Sequence, residues 1–275
     1  MESKVKIFLK LVTKFDLATS LFRSFELISI KQVLKGLKIE NPILDIGCAE
    51  GNIADEVFKN NRVFGLDNEL GYLSIAKKKG LYTSLVAADA RNMPFRDNTF
   101  GFLFSNSVLE HIIDLDCVLD ESKRILKPGG VFLFTAPNNN FAFCLFFYQL
   151  LKLLGFKSLA LKYTKERNKR LNHFHLYSQE TWADLINKHG FRVISMKEYI
   201  SRNTLMLWDL IAAIQFFLKT IFSVFIKLPI VKNILLTVAY MLRIIFAFIL
   251  FPIFLLLKNI TANGCATLIV VTKNQ

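Results

Sequence analysis

Two aspartates and two glycines carry the first chemistry in this chain. Asp45 stands two residues before Gly47, Gly51 follows four residues later, and Asp67 closes the apolar run Val63-Phe64-Gly65-Leu66. Ile43 to Ile46 reads as a short apolar strand entering a turn of small residues. An acid at the tip of a second strand, about twenty residues on, is the arrangement that holds a nucleoside in an open α/β sheet. The turn's spacing decides which nucleoside. A pyrophosphate-binding turn needs G-x-G-x-x-G so that the phosphates can approach the backbone. Here Cys48, Ala49 and Glu50 separate the glycines, and Asp45 and Glu50 put negative charge where a pyrophosphate would lie. Such a turn suits a cofactor with a cationic centre and a free amino group.

Groups able to move a proton are few. His111 follows Glu110, where it reads as a capping or packing residue or as a base. His173 and His175 alternate in Asn172-His173-Phe174-His175, so an extended chain presents both on one face, and imidazole titrates in the range a general base needs. No metal is expected, because no carboxylate or cysteine stands beside these histidines at ligand spacing. Cys48, Cys117, Cys144 and Cys265 are scattered without C-x-x-C spacing and read as reduced thiols.

The elements that must position these residues alternate. Helices are predicted over 52–59, 70–79 and 115–126, with Pro128-Gly129-Gly130 ending the last. A further helix over 181–189 starts at the N-cap Ser178 and ends at Gly190. Strands follow over 191–199 and 265–272. Residues 1–40 carry apolar positions at helical spacing and read as a helical cap or as an interfacial helix.

Taken in order, these segments resemble the class I S-adenosylmethionine-dependent methyltransferases of the small-molecule and lipid type. The matching pieces are the Asp45–Gly51 turn, Asp67, Ala88-Asp89-Ala90, the Phe100–His111 stretch and Leu126–Phe134, together covering roughly residues 40 to 140. Ala49 stands where a second glycine is usual, which is tolerable if its φ is below zero. Gly101 replaces a usual Asp at the start of the fourth strand, a change that touches packing. The resemblance implies a Rossmann-like seven-stranded sheet with helices on both faces, the seventh strand antiparallel between the fifth and sixth. It implies S-adenosyl-L-methionine as cofactor. Asp45 and the backbone of Gly47, Cys48, Ala49 and Gly51 would hold the methionine end, Asp67 the ribose hydroxyls and Asp89 the adenine amino group. Asn68, Ala90 and Asn106 complete the expected cofactor set.

Composition adds the surroundings. The chain has 275 residues, 27 of them Phe, an apolar fraction of 53% and a net charge of +13. Basic and apolar character together point to an anionic membrane surface, and nucleic acid is not an expected partner. An apolar insert of roughly sixty residues lies between the last two strands, interrupted by Asp209, Lys219, Lys227, Lys232, Arg243 and Lys258. Its longest charge-free piece, Ile244 to Leu257, is short of the ~20 residues a span needs, whereas Ile234 to Leu257 is long enough with Arg243 tolerated. A buried helical hairpin, two full spans and a monotopic hairpin are the competing readings. A second apolar segment, Phe141 to Leu161, precedes the basic run Lys162 to Arg170.

The expected organisation is a helical cap (1–40), a methyltransferase core (41–200) containing the apolar and basic segment 141–172, a hydrophobic membrane-associating insert (201–260) and a final core strand (261–275). The expected protein carries no secretion signal. It is a membrane-associated enzyme facing the cytoplasm, in contact with membrane lipids, and it methylates oxygen on a lipid-like or lipid-linked acceptor such as a prenyl quinone or a polyprenyl-glycan. The alternative is an inactive, membrane-recruited binding or scaffold protein of the same fold.

Overall fold

The computed structural model describes residues 4–223, 247, 256–257 and 263–274. The chain divides into two compact units, one formed by residues 1–28, 142–166 and 200–260, the other by 29–141, 167–199 and 261–275. The second unit carries the sheet. Its strands are β1 (Ile43–Ile46), β2 (Val63–Asp67), β3 (Tyr82–Ala87), β4 (Phe100–Asn106), β5 (Leu126–Pro137), β6 (Phe191–Tyr199) and β7 (Ala266–Lys273). They run in the order β3-β2-β1-β4-β5-β7-β6. The five strands from β3 to β5 are parallel, and β7 runs antiparallel between β5 and β6. This is the seven-stranded topology the resemblance implies. Strand order reverses between β1 and β4, and in open α/β sheets the crevice at the carboxyl ends of such a pair is where ligands bind. Gly47 and Ser107 begin the loops at that crevice.

The helices of this unit follow the predicted pattern with shifted ends. α3 (Ala54–Val57) is a single turn, α4 spans Leu70–Lys77, α5 Leu115–Ile125 and α8 Gln179–Lys188. Ser178 caps α8 as expected, its Oγ accepting from the Thr181 amide at 3.3 Å. α5 stops at Ile125 and the chain turns directly into β5, because a residue before proline is pushed out of the helical region and Lys127 precedes Pro128.

The abundance of phenylalanine is explained by the core. Phe58 meets Phe102 and Phe104 edge-on at 5.9 and 5.1 Å, and Trp182 of α8 packs on Phe134 at 5.1 Å. These rings are fully buried, and edge-to-face pairs add to what burial alone contributes. Gly101 is a packing residue, since a Cβ there would come within 2.7 Å of the Glu40 carbonyl oxygen.

In the first unit, α1 (Lys4–Lys14), α6 (Phe146–Leu153) and α9 (Arg202–Ser223) are helical, joined by the parts of α2 (Leu17–Leu34) and α7 (Lys157–Arg170) that fall within it. The apolar segment 141–161 is broken by a left-handed turn at Gly155, which separates α6 from α7. Asp209 of α9 is buried and accepts the Tyr163 hydroxyl at 2.7 Å. Among the described residues no helix is long and apolar enough to cross a membrane; α9 is interrupted by Asp209 and Lys219. The candidate span Ile234 to Leu257 lies outside the described residues except for Ala247, Leu256 and Leu257.

The mouth of the insert is fastened inside the second unit. Buried Asn138, just beyond β5, donates from Nδ2 to the Gly264 carbonyl at 3.0 Å and the Glu198 carboxylate at 3.3 Å, while the Gly264 amide donates to Glu198 at 2.7 Å. These bonds close the ends of β6 and β7 around whatever the chain does between them. Replacing Asn138 by Ala leaves a buried carbonyl and a buried carboxylate oxygen short of a donor. Denaturant unfolding should show a loss of about 2 kcal/mol.

Candidate cofactor and acceptor site

The turn after β1 folds back on β2. The amides of Gly47 and Cys48 both donate to the Leu66 carbonyl, at 2.8 and 3.0 Å, and the Gly51 amide closes the turn on the Cys48 carbonyl at 2.8 Å. Gly47 has φ +70°, and a Cβ there would stand 2.5 Å from a methyl of Val108, so only glycine fits. Ala49 also lies in the left-handed region, at φ +44°. The condition under which alanine would sit there without strain is therefore not met. An L-residue in this region costs roughly 1–2 kcal/mol, and what holds it there is visible: the Ala49 amide donates to Asp67 Oδ2 at 2.8 Å.

Asp67, at the end of β2, takes one backbone amide on each oxygen, Ala49 on Oδ2 and Glu69 on Oδ1 at 2.9 Å. Each carboxylate oxygen keeps a second acceptor direction, the number a ribose diol requires. Asn68 beside it is exposed.

Asp45 is almost completely buried and receives the Tyr82 hydroxyl on Oδ2 at 2.7 Å. Tyr82 has room because two neighbours lack side chains: a Cβ on Gly51 or on Gly65 would lie within 2.7 or 3.0 Å of its ring. Burial pushes the Asp45 carboxyl up to about 7; the Tyr82 hydrogen bond opposes the shift and the charge of Asp67 adds to it. Burial, with Asp45 and Asp67, also drives the Cys48 thiol upward, so this cysteine is a packing group and not a thiolate nucleophile. A dry pocket with two carboxylates facing a backbone turn calls for a ligand bearing positive charge. A sulfonium amino acid joined to a nucleoside fits that donor set.

The adenine end is more open. Asp89 follows β3 with its carboxylate on the Arg91 guanidinium at 2.6 Å, and Arg91 bridges on to Asp114 at 2.9 Å. The Arg91 hydrogen bonds hold the Asp89 carboxyl below the usual carboxylate range. Ala90 is buried beside it, and Asn106 is half-buried at the tip of β4.

The histidines separate into different environments. His175 uses both ring nitrogens: Nε2–H donates to the Ile112 carbonyl at 2.8 Å, so Nδ1 accepts from the Tyr177 hydroxyl at 2.9 Å. It ties the segment before α8 to the loop after β4. His111 and His173 stack together at 5.4 Å between centroids, with Phe141 against the far ring at 5.1 Å. Burial first, then the charges of His111 and Arg167, lowers the His173 pKa to about 4, leaving it a neutral ring. His173 and His175 are both half-buried while Phe174 between them is exposed, and His173 pairs with His111 across 62 residues of sequence. Glu110 joins them, its Oε1 lying 3.8 Å from His111 Nε2. Both the Glu110–His173 proximity and the Tyr82–Asp45 bond were missed in the sequence. The one clue was the pair of glycines, at 51 and 65, that admits the tyrosine ring.

A seven-stranded sheet of this order, with an acid-flanked glycine turn after β1 and an anchored aspartate ending β2, is the arrangement of the class I S-adenosylmethionine-dependent methyltransferases, and the chain carries a domain of that class. Residues 44–134 match the family described as a methyltransferase domain. The sterol 24-C-methyltransferase of Gibberella zeae is 37% identical over 105 residues, covering 35% of this chain and 28% of that protein. The demethylmenaquinone methyltransferase of Staphylococcus haemolyticus is 30% identical over 136 residues, 46% of this chain and 56% of that protein. The chain thus spans about half or less of the length of these curated relatives. Among solved structures, a methyltransferase of Thermotoga maritima described as a possible histamine N-methyltransferase aligns with a TM-score of 0.56 and 20% identity over 99% of this chain and all of that one. That likeness concerns the fold. The cofactor of the family is S-adenosyl-L-methionine.

The buried Asp45 gives cofactor binding a pH signature. From the ordinary carboxylate range up to about 7 the folded protein retains a proton that the unfolded chain has released, so this group's contribution to stability falls as pH rises through that window. An ammonium ligand needs the ionised form. Affinity for the cofactor should therefore rise with pH, by up to about tenfold per unit, and level off near neutrality. Calorimetric titrations from about pH 5 to 7.5 check this. Tyr82→Phe removes a donor and should move the midpoint up, whereas Asp45→Asn should bind weakly with a flat profile.

Proposed function

We propose that this chain is a membrane-associated methyltransferase that methylates oxygen on a lipid-like or lipid-linked acceptor, with a prenyl quinone or a polyprenyl-linked glycan as the candidate classes. When bound, S-adenosyl-L-methionine supplies a methyl group on a sulfonium sulfur, which an in-line nucleophile displaces with neutralisation of charge. The chain's own part is to hold, align and desolvate. Asp45 takes the ammonium, Asp67, which anchors the turn through the Ala49 amide, takes the ribose, and Asp89 takes the adenine edge. An acceptor hydroxyl must give up a proton, and the imidazoles of His111 and His173, beyond the end of β4, are the groups proposed to assist.

The observation that carries the lipid reading is the surface of the first unit. On α6, the connection that follows it and the start of α7, Leu153 is 84% exposed, with Leu154, Phe156 and Leu159 also out; on α9, Phe217 is 64% exposed, beside Ile214 and Phe216. Apolar aromatic surface of this extent marks an interaction face. The basic residues Lys157, Lys162 and Lys165 on α7 supply the charge that an anionic headgroup attracts, roughly 1 kcal/mol each near such a surface. The chain leaves β6 at Tyr199 and re-enters at Ala266, paired with Pro137 at the carboxyl end of β5. The apolar insert is thus rooted at the edge of the sheet where ligands bind. Two of the relatives are named for a sterol and for demethylmenaquinone as acceptors, which agrees with an apolar substrate. The cytoplasm, where the methyl donor is made, is the side proposed for the sheet.

Incubating the full chain with methyl-labelled cofactor and a total lipid extract should place label in the organic phase. Label confined to the aqueous fraction would contradict the lipid reading.

A further inference from the structure

Glu110, His111 and His173 form a constellation that goes beyond the single proton-accepting imidazole a methyl transfer to oxygen would need. Their ligating atoms, one from each residue, all lie within 4.8 Å of one another. All three belong to the second unit, just beyond the carboxyl end of β4. We propose that they bind a divalent cation of the zinc class, with a coordination position left for an oxygen of the acceptor.

The surroundings are those of a ligand set. His111 Nδ1–H donates to the Asn172 carbonyl at 3.1 Å, so its lone pair is on Nε2, the nitrogen that faces Glu110. Metal-bound histidines have this feature: the remote nitrogen gives its proton to a carbonyl or carboxylate, which fixes tautomer and ring angle. His173 holds its Nδ1 buried with no hydrogen-bond partner among the described residues. Glu110 is 1% exposed, and a buried carboxylate is stabilised by a cation close by.

The backbone clamps the two halves together. The Phe174 amide donates to the Glu110 carbonyl at 2.8 Å, and the His173 amide donates to Asn168 at 3.0 Å. The left-handed turn at Asn172, φ +53°, places its carbonyl under His111. Two imidazoles and one carboxylate are the donor set of open zinc sites.

The charge balance sharpens the choice. A single carboxylate beside two imidazoles disfavours a hard ion such as Mg²⁺ or Ca²⁺ that needs several oxygens. Imidazole-binding ions are favoured. His111 is partly exposed, so the site is open on one side. An acceptor hydroxyl or carbonyl bound there would be polarised by the ion and oriented beside the cofactor pocket. That use of the site rests on the methyltransferase reading; the metal site itself does not.

The test is calorimetric titration of Zn²⁺ into the purified, chelator-treated full chain, with Co²⁺ as a spectroscopic probe. One Zn²⁺ per chain should bind, Co²⁺ should give visible absorption bands that Zn²⁺ abolishes, and His111→Ala and His173→Gln should each weaken binding about 100-fold. S-adenosylmethionine titrated into the same variants reports whether the sheet is intact. Absence of Zn²⁺ heat and of Co²⁺ bands in the unaltered chain would overturn the proposal, as would unchanged affinity in both variants. Zn²⁺ binding without any S-adenosylmethionine binding would uphold the metal site and sink the methyltransferase reading instead.

Discussion

The bond from the Ala49 amide to the Asp67 carboxylate is the interaction on which the site depends. It joins the tip of β2 to the turn after β1 and holds that turn in a left-handed conformation an alanine would not choose. Because the same carboxylate is the proposed ribose acceptor, the geometry of the turn and the capacity to bind a nucleoside are set by one group. Strain retained at a ligand site by surrounding contacts is a recurring device in binding sites. Asp45 adds a second constraint. A carboxylate buried against Tyr82 is poorly solvated when ionised, and a cationic ligand relieves that cost.

Most of the sheet was legible because its signals are local. Asp45, Gly47, Asp67 and the Leu126–Phe134 stretch carry their meaning in short windows, and their order fixed the topology. The alternation of Phe191 to Tyr199 was likewise enough to place β6. What escaped came from long-range packing. Tyr82 reaches Asp45 across β2 through the space left by Gly65, a relation no window of sequence contains. Glu110 and His173 are neighbours only because the loop after β4 meets the segment before α8. The tolerance granted to Ala49 assumed a negative φ, which the pull of Asp67 prevents. The apolar stretch 141–161 showed no helix break in its hydrophobicity, yet Gly155 divides it.

The two units pose different physical problems. In the sheet-bearing unit, aromatic residues are buried in edge-to-face pairs and polar groups at the strand ends are paired, as around Asn138. In the other, large apolar side chains remain exposed on α6, α7 and α9 beside basic residues. An excess of phenylalanine thus serves two ends, core packing in one unit and an accessible face in the other.

The central claim is that the Asp67-anchored turn binds S-adenosylmethionine, and calorimetric titration of the purified chain beside its Asp67→Ala variant tests it most directly. One cofactor per chain is expected, with affinity lowered at least about 30-fold in the variant through loss of the ribose hydrogen bonds and of the turn's anchor. No heat of binding in the unaltered chain, or equal affinity in the two proteins, would contradict it.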